Sequence, residues 1–192
     1  EIIDEHGADS DEARIEVYGM FPADDVVNFI PISFIEGAVK RVIADDKTAP
    51  IIIGVDPAGG GADSFVIVIR QGRKILEIRR FKLADSEIGT MEGVGHVIDA
   101  INDFEPDLTA MDETGMGAPI GDRLREQKYQ VKRVLFSWAS SNRRYGNKRA
   151  EIWAEMRKWL EIGSIPDDKH LKTDLGGPGK KQNSKGVMFL ES

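Results

Sequence analysis

Two aspartates close short apolar runs in this sequence. Asp56 ends Ile51-Ile52-Ile53-Gly54-Val55-Asp56, and Asp112 ends Leu108-Thr109-Ala110-Met111-Asp112. Runs of this composition read as buried strands, and Pro57 with Gly59-Gly60-Gly61, or Gly115 with Gly117, keeps each strand from continuing. A carboxylate at such a rim either holds an Asx-type turn or faces a ligand. Two carboxylates brought together repel, and the repulsion is relieved by a shared proton or a divalent cation. With no cysteine and no suitably spaced histidines, hard oxygen ligands select Mg²⁺ or Mn²⁺ over zinc. Two such ions about 3.5–4 Å apart orient a water and stabilise the leaving oxygen in phosphodiester cleavage. Asp63 and Glu113 flank the two principal acids and could add ligands, although Asp63 reads equally well as a solvated loop residue.

The elements around the aspartates decide whether they meet. After Ile51–Asp56 come strands over Ser64–Arg70 and Lys74–Leu83, joined by a turn at Gly72, which makes an antiparallel meander. A helix follows from about Gly89 to Phe104, with Ile88, Met91, Val94, Val97, Ile98 and Ile101 near helical spacing, and then the strand ending at Asp112. Strand, helix, strand implies a right-handed crossover and a parallel pair. The best parallel partner is Ile51–Asp56, which would bring Asp56 and Asp112 out at the same end of adjacent strands. The glycines at 59–61 would leave room for a metal and a phosphate backbone.

Further along, Pro119 opens a short helix to Gln127, Val131–Phe136 is a fifth strand, and 137–146 is a loop. A helix runs from Asn147 to about Ile162, with Ile152, Trp153, Met156, Trp159 and Leu160 on one side as core. A short helix spans Asp167–Leu175, Gly176 to Lys181 is a loop, and Val187–Leu190 is a last strand. Upstream, Ser33 and Glu36 form a capping box for a helix whose apolar face is Phe34, Ile35, Ala38, Val39 and Val42. Residues 1–49 read as an incoming segment and helix, and 50–192 as the main domain.

Composition sets the outer bounds. A chain of 192 residues with 41% hydrophobic content fits a globular domain with a sizeable core. The lack of cysteine removes disulfides and thiolate chemistry, and no apolar run approaches a membrane span. The net charge of −7 argues against nucleic acid only until it is divided along the chain. Residues 1–49 hold 12 acids and 4 bases, whereas 123–149 holds nine bases against Glu126 alone. Local field steers a polyanion more than net charge does. Arg143, Arg144, Lys148, Arg149, Lys132 and Arg133, with Lys180 and Lys181, are the candidate phosphate contacts.

The element order, with an acid ending the first and fourth strands, resembles the ribonuclease H-like superfamily, an α/β fold. Gly54-Val55-Asp56-Pro57-Ala58-Gly59-Gly60-Gly61-Ala62-Asp63, Met111-Asp112-Glu113-Thr114-Gly115-Met116-Gly117, Asn147-Lys148-Arg149-Ala150-Glu151 and Leu171-Lys172-Thr173-Asp174-Leu175 together resemble the nuclease domain of tailed-phage terminase large subunits. The resemblance runs from about residue 17, because Val17-Tyr18-Gly19-Met20-Phe21-Pro22 is similar to the segment that enters this domain from an upstream packaging ATPase. It implies a mixed five-stranded sheet with flanking helices and a C-terminal hairpin. It also implies an endonuclease that cuts concatemeric double-stranded DNA using Asp56 and Asp112 as metal ligands in a two-metal Mg²⁺ or Mn²⁺ site. The implied partners are DNA, the upstream ATPase, a portal ring and a small terminase subunit, with no membrane, and the implied location is the cytoplasm of the infected bacterial host.

Family members carry a third essential acid after the final hairpin, which here is expected beyond Ser192. Asp167, Asp168, Asp174 and His170 are weaker substitutes. Rival readings are a junction-resolving nuclease, an actin-like or sugar-kinase ATPase, and a non-catalytic module that docks DNA or a portal. A phosphate-binding loop of nucleotide-binding type fits poorly, because Gly59-Gly60-Gly61 leads into a strand and no Gly-Lys-Ser/Thr follows.

Overall fold

The computed structural model describes residues 28–191, so the acidic start and the apolar segment Val17–Pro22 lie outside the described residues. In chain order the elements are α1 (Ile32–Lys40), β1 (Ile51–Asp56), β2 (Phe65–Gln71), β3 (Lys74–Phe81), α2 (Glu87–Phe104), β4 (Leu108–Asp112), α3 (Gly117–Glu126), β5 (Lys132–Val134), α4 (Lys148–Leu160), α5 (Lys169–Gly176), β6 (Lys180–Gln182) and β7 (Met188–Leu190). They fall into two compact units. One comprises 42–138 with 163–165, and the other, among the described residues, 28–41, 139–162 and 166–191.

The first unit carries the sheet, in the order β3-β2-β1-β4-β5. β1 pairs antiparallel with β2, and β2 antiparallel with β3, while β1–β4 and β4–β5 are parallel. This is the mixed five-stranded sheet the sequence leads one to expect. Period-two alternation sorts its side chains: Ile53 and Val55 on β1, Phe65, Ile67 and Ile69 on β2, and Met111 on β4 all point into one core. Val94, Val97 and Ala100 of α2 and Ile120 and Leu124 of α3 fill the same cluster, so both helices cover one face of the sheet. Gly54 and Asp56 alternate to the other side and are exposed.

Helix α2 differs from the expected one in where it starts and in which face it buries. Ser86 caps it by accepting from the Gly89 N–H at 3.2 Å. Its buried side is Gly89, Gly93, Val94, Val97 and Ala100, while Ile88 and Met91 are 72% and 46% exposed. Small residues draw the helix close: a Cβ at Gly93 would stand 3.0–3.3 Å from Ile120, Phe65 and Leu83. Closeness of approach has therefore won over the count of large apolar residues. β5 is also shorter than expected, at three residues.

In the second unit α1 packs on α4 and α5, and its core draws on Phe29, Ile35, Ala38, Ala150, Leu160 and Leu175. The expected Ser33 capping box does not form. Pro31 occupies the N-cap position with no side-chain cap, which puts Ser33 inside the first turn. Val42 lies past the helix and is 97% exposed. Asn147 caps α4 by accepting from the Ala150 N–H at 2.9 Å, and Arg41 Nη1 donates to Leu160 O at 2.9 Å at its other end. Trp153 and Trp159 are half-buried, and the fully packed positions of α4 are the small Ala150 and Ala154 with Leu160. Lys180 and Lys181, expected in a loop, form β6 and pair with β7 in the C-terminal hairpin. Among the described residues no helix is long and apolar enough to cross a membrane.

Candidate functional site

The β1–β4 register determines where the two aspartates emerge. Ile53 pairs with Thr109, Gly54 with Ala110 and Val55 with Met111, so Asp56 and Asp112 are the next residues along two parallel neighbours. Neighbouring strands run about 4.8 Å apart, and both acids alternate to the face opposite the core residues Val55 and Met111. Beside them Gly54 adds no bulk; a Cβ there would meet no atom within 4 Å.

Asp112 is held from below. Its Oδ1 accepts from the Thr114 N–H at 3.1 Å and from Thr114 Oγ1 at 2.8 Å. Among the described residues Oδ2 carries no hydrogen bond, which leaves one oxygen of Asp112 available to a cation. Asp63 lies exposed on the glycine-rich loop. No group of three or more His, Asp or Glu side chains suited to a metal ion occurs among the described residues. Two hard oxygen donors on an open rim still fit the chemistry of Mg²⁺ or Mn²⁺, ions that keep several waters when bound by one or two carboxylates.

Glu113 is placed quite differently from its neighbour. Its residue is 2% exposed. Arg125 holds it in a two-pronged contact, Nη1 to Oε1 at 2.6 Å and Nη2 to Oε2 at 2.9 Å, and Arg133 Nε stands 3.4 Å from Oε2. Arg125 also reaches Asp122 Oδ1 at 2.7 Å, and these hydrogen bonds, Glu113's first, hold its guanidinium above its ordinary pKa. The strand's alternation puts Glu113 on the α3 side of the sheet while Asp112 faces out. Arg125 carries no motif of its own in the sequence, being brought to Glu113 by the turn of α3.

The glycine loop owes its composition to packing. Gly60 has φ of +72° and donates its N–H to Leu83 O at 2.9 Å. A Cβ at Gly59 would lie 2.7 Å from Met116 Sδ and 3.1 Å from Ala84 O. The loop therefore lies against the segment before α2 and the turn after β4, and the room the sequence suggested for a ligand at these two glycines is filled by the protein. Lys82 Nζ donates to Ala62 O and ties down its far end.

The candidate phosphate contacts divide between the units. Lys132 and Arg133 are exposed on β5 of the sheet unit. Arg143, Arg144, Lys148, Arg149, Lys180 and Lys181 belong to the other. Among the described residues Lys132, Arg143, Arg144, Arg149, Lys180 and Lys181 make no ion pair, whereas Lys148 is bonded to Glu151 at 2.8 Å. Glu151 is a hub that the sequence motif contained but composition did not single out. Besides Lys148 it accepts from Ser140 Oγ at 2.8 Å, from the Ser141 N–H at 2.8 Å and from Ser141 Oγ at 2.5 Å. Led by the Lys148 bond, these contacts lower its carboxyl to about 2. The bonds from Ser140 and Ser141 fasten the loop that carries Arg143 and Arg144 onto α4. Of the substitute acids, Asp168 caps α5 through the Leu171 N–H at 2.7 Å and Asp167 pairs with Lys172.

No protein-family model matches this sequence, and comparison with curated proteins finds no match. Solved structures do match. The nuclease domain of the large terminase subunit gp2 of bacterial virus Sf6 superposes with a TM-score of 0.67 at 17% identity, over 85% of this chain and 87% of that one. The fold is that of the phage terminase nucleases. A mutant of the Sf6 domain with manganese gives 0.67 at 17% identity, again over 85% and 87%. The large terminase nuclease of thermophilic phage G20c with bound magnesium gives 0.59 at 14%, over 84% of this chain and 86% of that one. The ribonuclease H-like sheet of this terminase-nuclease fold is thus the frame on which Asp56 and Asp112 stand.

Proposed function

We propose that this chain is a metal-dependent endonuclease that cuts concatemeric double-stranded viral DNA during genome packaging. The observation that carries the reading is the exit of Asp56 and Asp112 from adjacent parallel strands, on the face of the sheet opposite its core, in a terminase-nuclease fold. The magnesium in the G20c structure and the manganese in the Sf6 structure support a divalent ion as cofactor.

Asp56 and Asp112 would hold the ion or ions, with Asp63 kept as a candidate further ligand from the glycine-rich loop and, by the family resemblance, a third acid from beyond Ser192. When bound, divalent metal activates a water and stabilises the leaving oxygen of the phosphodiester. The chain's own contribution is placement. Thr114 fixes the rotation of Asp112 by taking Oδ1, and the parallel ladder keeps the two carboxylates together. Glu113, engaged by Arg125 and Arg133, stands outside this ligand set. Arg143, Arg144, Arg149, Lys180 and Lys181 in one unit, and separately Lys132 and Arg133 in the sheet unit, would hold phosphates without reading sequence. The packaging reading carries with it an upstream ATPase in the same polypeptide over the incoming 1–49 segment, portal and small-subunit partners, and action in the host cytoplasm.

The test is cleavage of supercoiled plasmid by the protein extended to its natural C-terminus, in Mn²⁺, Mg²⁺ or EDTA. Nicking and linearisation that require metal and disappear in Asp56→Asn and in Asp112→Asn are the expected result. Cleavage that survives both substitutions refutes the site.

A further inference from the structure

We propose that Glu113 is a positioning residue for Asp112: clamped by Arg125 and Arg133, it fixes the direction in which the Asp112 carboxylate leaves the end of β4. The inference deepens the metal-site reading above and rests on it.

A carboxylate 2% exposed is costly to bury unless it is paired and fully hydrogen-bonded. Here three guanidinium nitrogens converge on it, two of them from Arg125 on α3 and one from Arg133 on β5. The site is also shaped to receive it. Gly121 of α3 faces the carboxylate, and a Cβ there would lie 2.5 Å from both Glu113 Cδ and Oε1. The backbone is gripped at the same residue, since the Glu113 N–H donates to Val134 O at 2.9 Å and extends the β4–β5 ladder one step past the strand. The peptide between Asp112 and Glu113 is thereby fixed from the helix side by an ion pair and from β5 by a backbone bond. Asp112 is the neighbour across that peptide and faces the opposite way, with Thr114 holding one of its oxygens. Rotation of the β4 end, the motion that would swing Asp112 out of line with Asp56, requires breaking the Glu113 clamp. Groups hydrogen-bonded to metal ligands orient them, and their loss typically lowers metal affinity about 10- to 100-fold; Glu113 acts to the same end through the shared peptide.

The experiment measures Mn²⁺ affinity of the full-length polypeptide without nucleotide, from the loss of the free-ion paramagnetic resonance signal. Wild type is compared with Asp112→Asn, Glu113→Gln, Arg133→Gln and Leu124→Val. Leu124 lies in the same helix–sheet core but outside the clamp. The expected result is loss of the site in Asp112→Asn, about 10- to 100-fold weaker binding in Glu113→Gln, weaker binding also in Arg133→Gln, and unchanged affinity in Leu124→Val despite its lower stability. Should Glu113→Gln fail to fold, Arg133→Gln, which removes only the exposed arm of the clamp, decides. Affinities of the folded clamp variants equal to wild type, with Asp112→Asn still impaired, overturn the positioning role and leave the ligand assignment standing. The same holds if Leu124→Val weakens binding as much as they do. Equal binding by wild type and Asp112→Asn overturns both.

Discussion

Val55 and Met111 pair directly across β1 and β4, one residue before the two aspartates. Both strands are parallel, so the pairing sends Asp56 and Asp112 out together, and a cation held by both ties the folded state to metal concentration. At Mn²⁺ about 100 times above its dissociation constant, urea unfolding of the wild type should be stabilised by about 2.7 kcal/mol. Asp56→Asn and Asp112→Asn should lose that increment, each variant being compared with its own stability in EDTA. An equal metal increment in all three proteins would remove the aspartates from the ligand set.

Gly121 is where the helix makes way for Glu113. Gly121→Ala puts a methyl 2.5 Å from the carboxylate carbon, and the helix must shift or the Arg125 pair must open. Overpacking of this kind typically costs about 1–3 kcal/mol, although alanine is the better helix former by up to about 1 kcal/mol. Thermal or urea unfolding should show net destabilisation, and an equally stable Gly121→Ala would mean the clamp yields easily.

Arg125→Ala leaves Glu113 buried with Arg133 alone. Breaking a fully buried pair costs about 3–5 kcal/mol. Because Arg125 is itself 37% exposed, the expected loss is nearer the roughly 1–3 kcal/mol of an unsatisfied buried acceptor. Urea unfolding at neutral pH measures it.

Glu151 gives the second unit an acid-sensitive joint. Its carboxyl is lowered from an ordinary value of 4.5 to about 2 by Lys148, Ser141 and Ser140. Its contribution to stability is therefore complete above about pH 4.5 and is lost as pH falls from there through about 2. Unfolding followed between pH 5 and pH 2 should fall less steeply in Glu151→Gln than in wild type. Parallel curves would deny the joint.

DNA binding should depend steeply on salt. Each phosphate contact contributes about 0.9 to the slope of log affinity against log salt concentration, so Arg143→Gln or Lys181→Gln should each reduce that slope by about 1 across unrelated sequences. Filter binding from low to moderate salt reads it directly. A flat wild-type series would exclude the phosphate track.

Much of the sheet was legible because its signals are local. β1 and β4 carry β-branched or apolar runs cut off by proline and glycine, and both ends match the structure to the residue. The helix faces were less legible. α2 turns Gly89 and Gly93 inward and leaves Ile88 out, a choice made by how closely the sheet and α3 approach, which no periodicity contains. The Ser33 box failed because Pro31 had already set the first turn. At the site, adjacency misled. Asp112 and Glu113 look like a pair of ligands in sequence, yet period two sends them to opposite sides, and Arg125, twelve residues on, is visible only once α3 has folded back. Glu151 was hidden for a similar reason, since its partners Ser140 and Ser141 lie in a stretch with almost no apolar signal.

The loop from Ser140 to Arg144 is stapled to α4 by the three hydrogen bonds that Ser140 and Ser141 give Glu151, before any partner arrives. A flexible loop bearing the same two arginines would have to surrender its backbone entropy, about 1–2 kcal/mol for each residue ordered, at the moment of docking. This one surrenders it during folding. A polyanion meeting Arg143 and Arg144 encounters a preorganised surface, where an encounter can become a contact without waiting for the protein to rearrange.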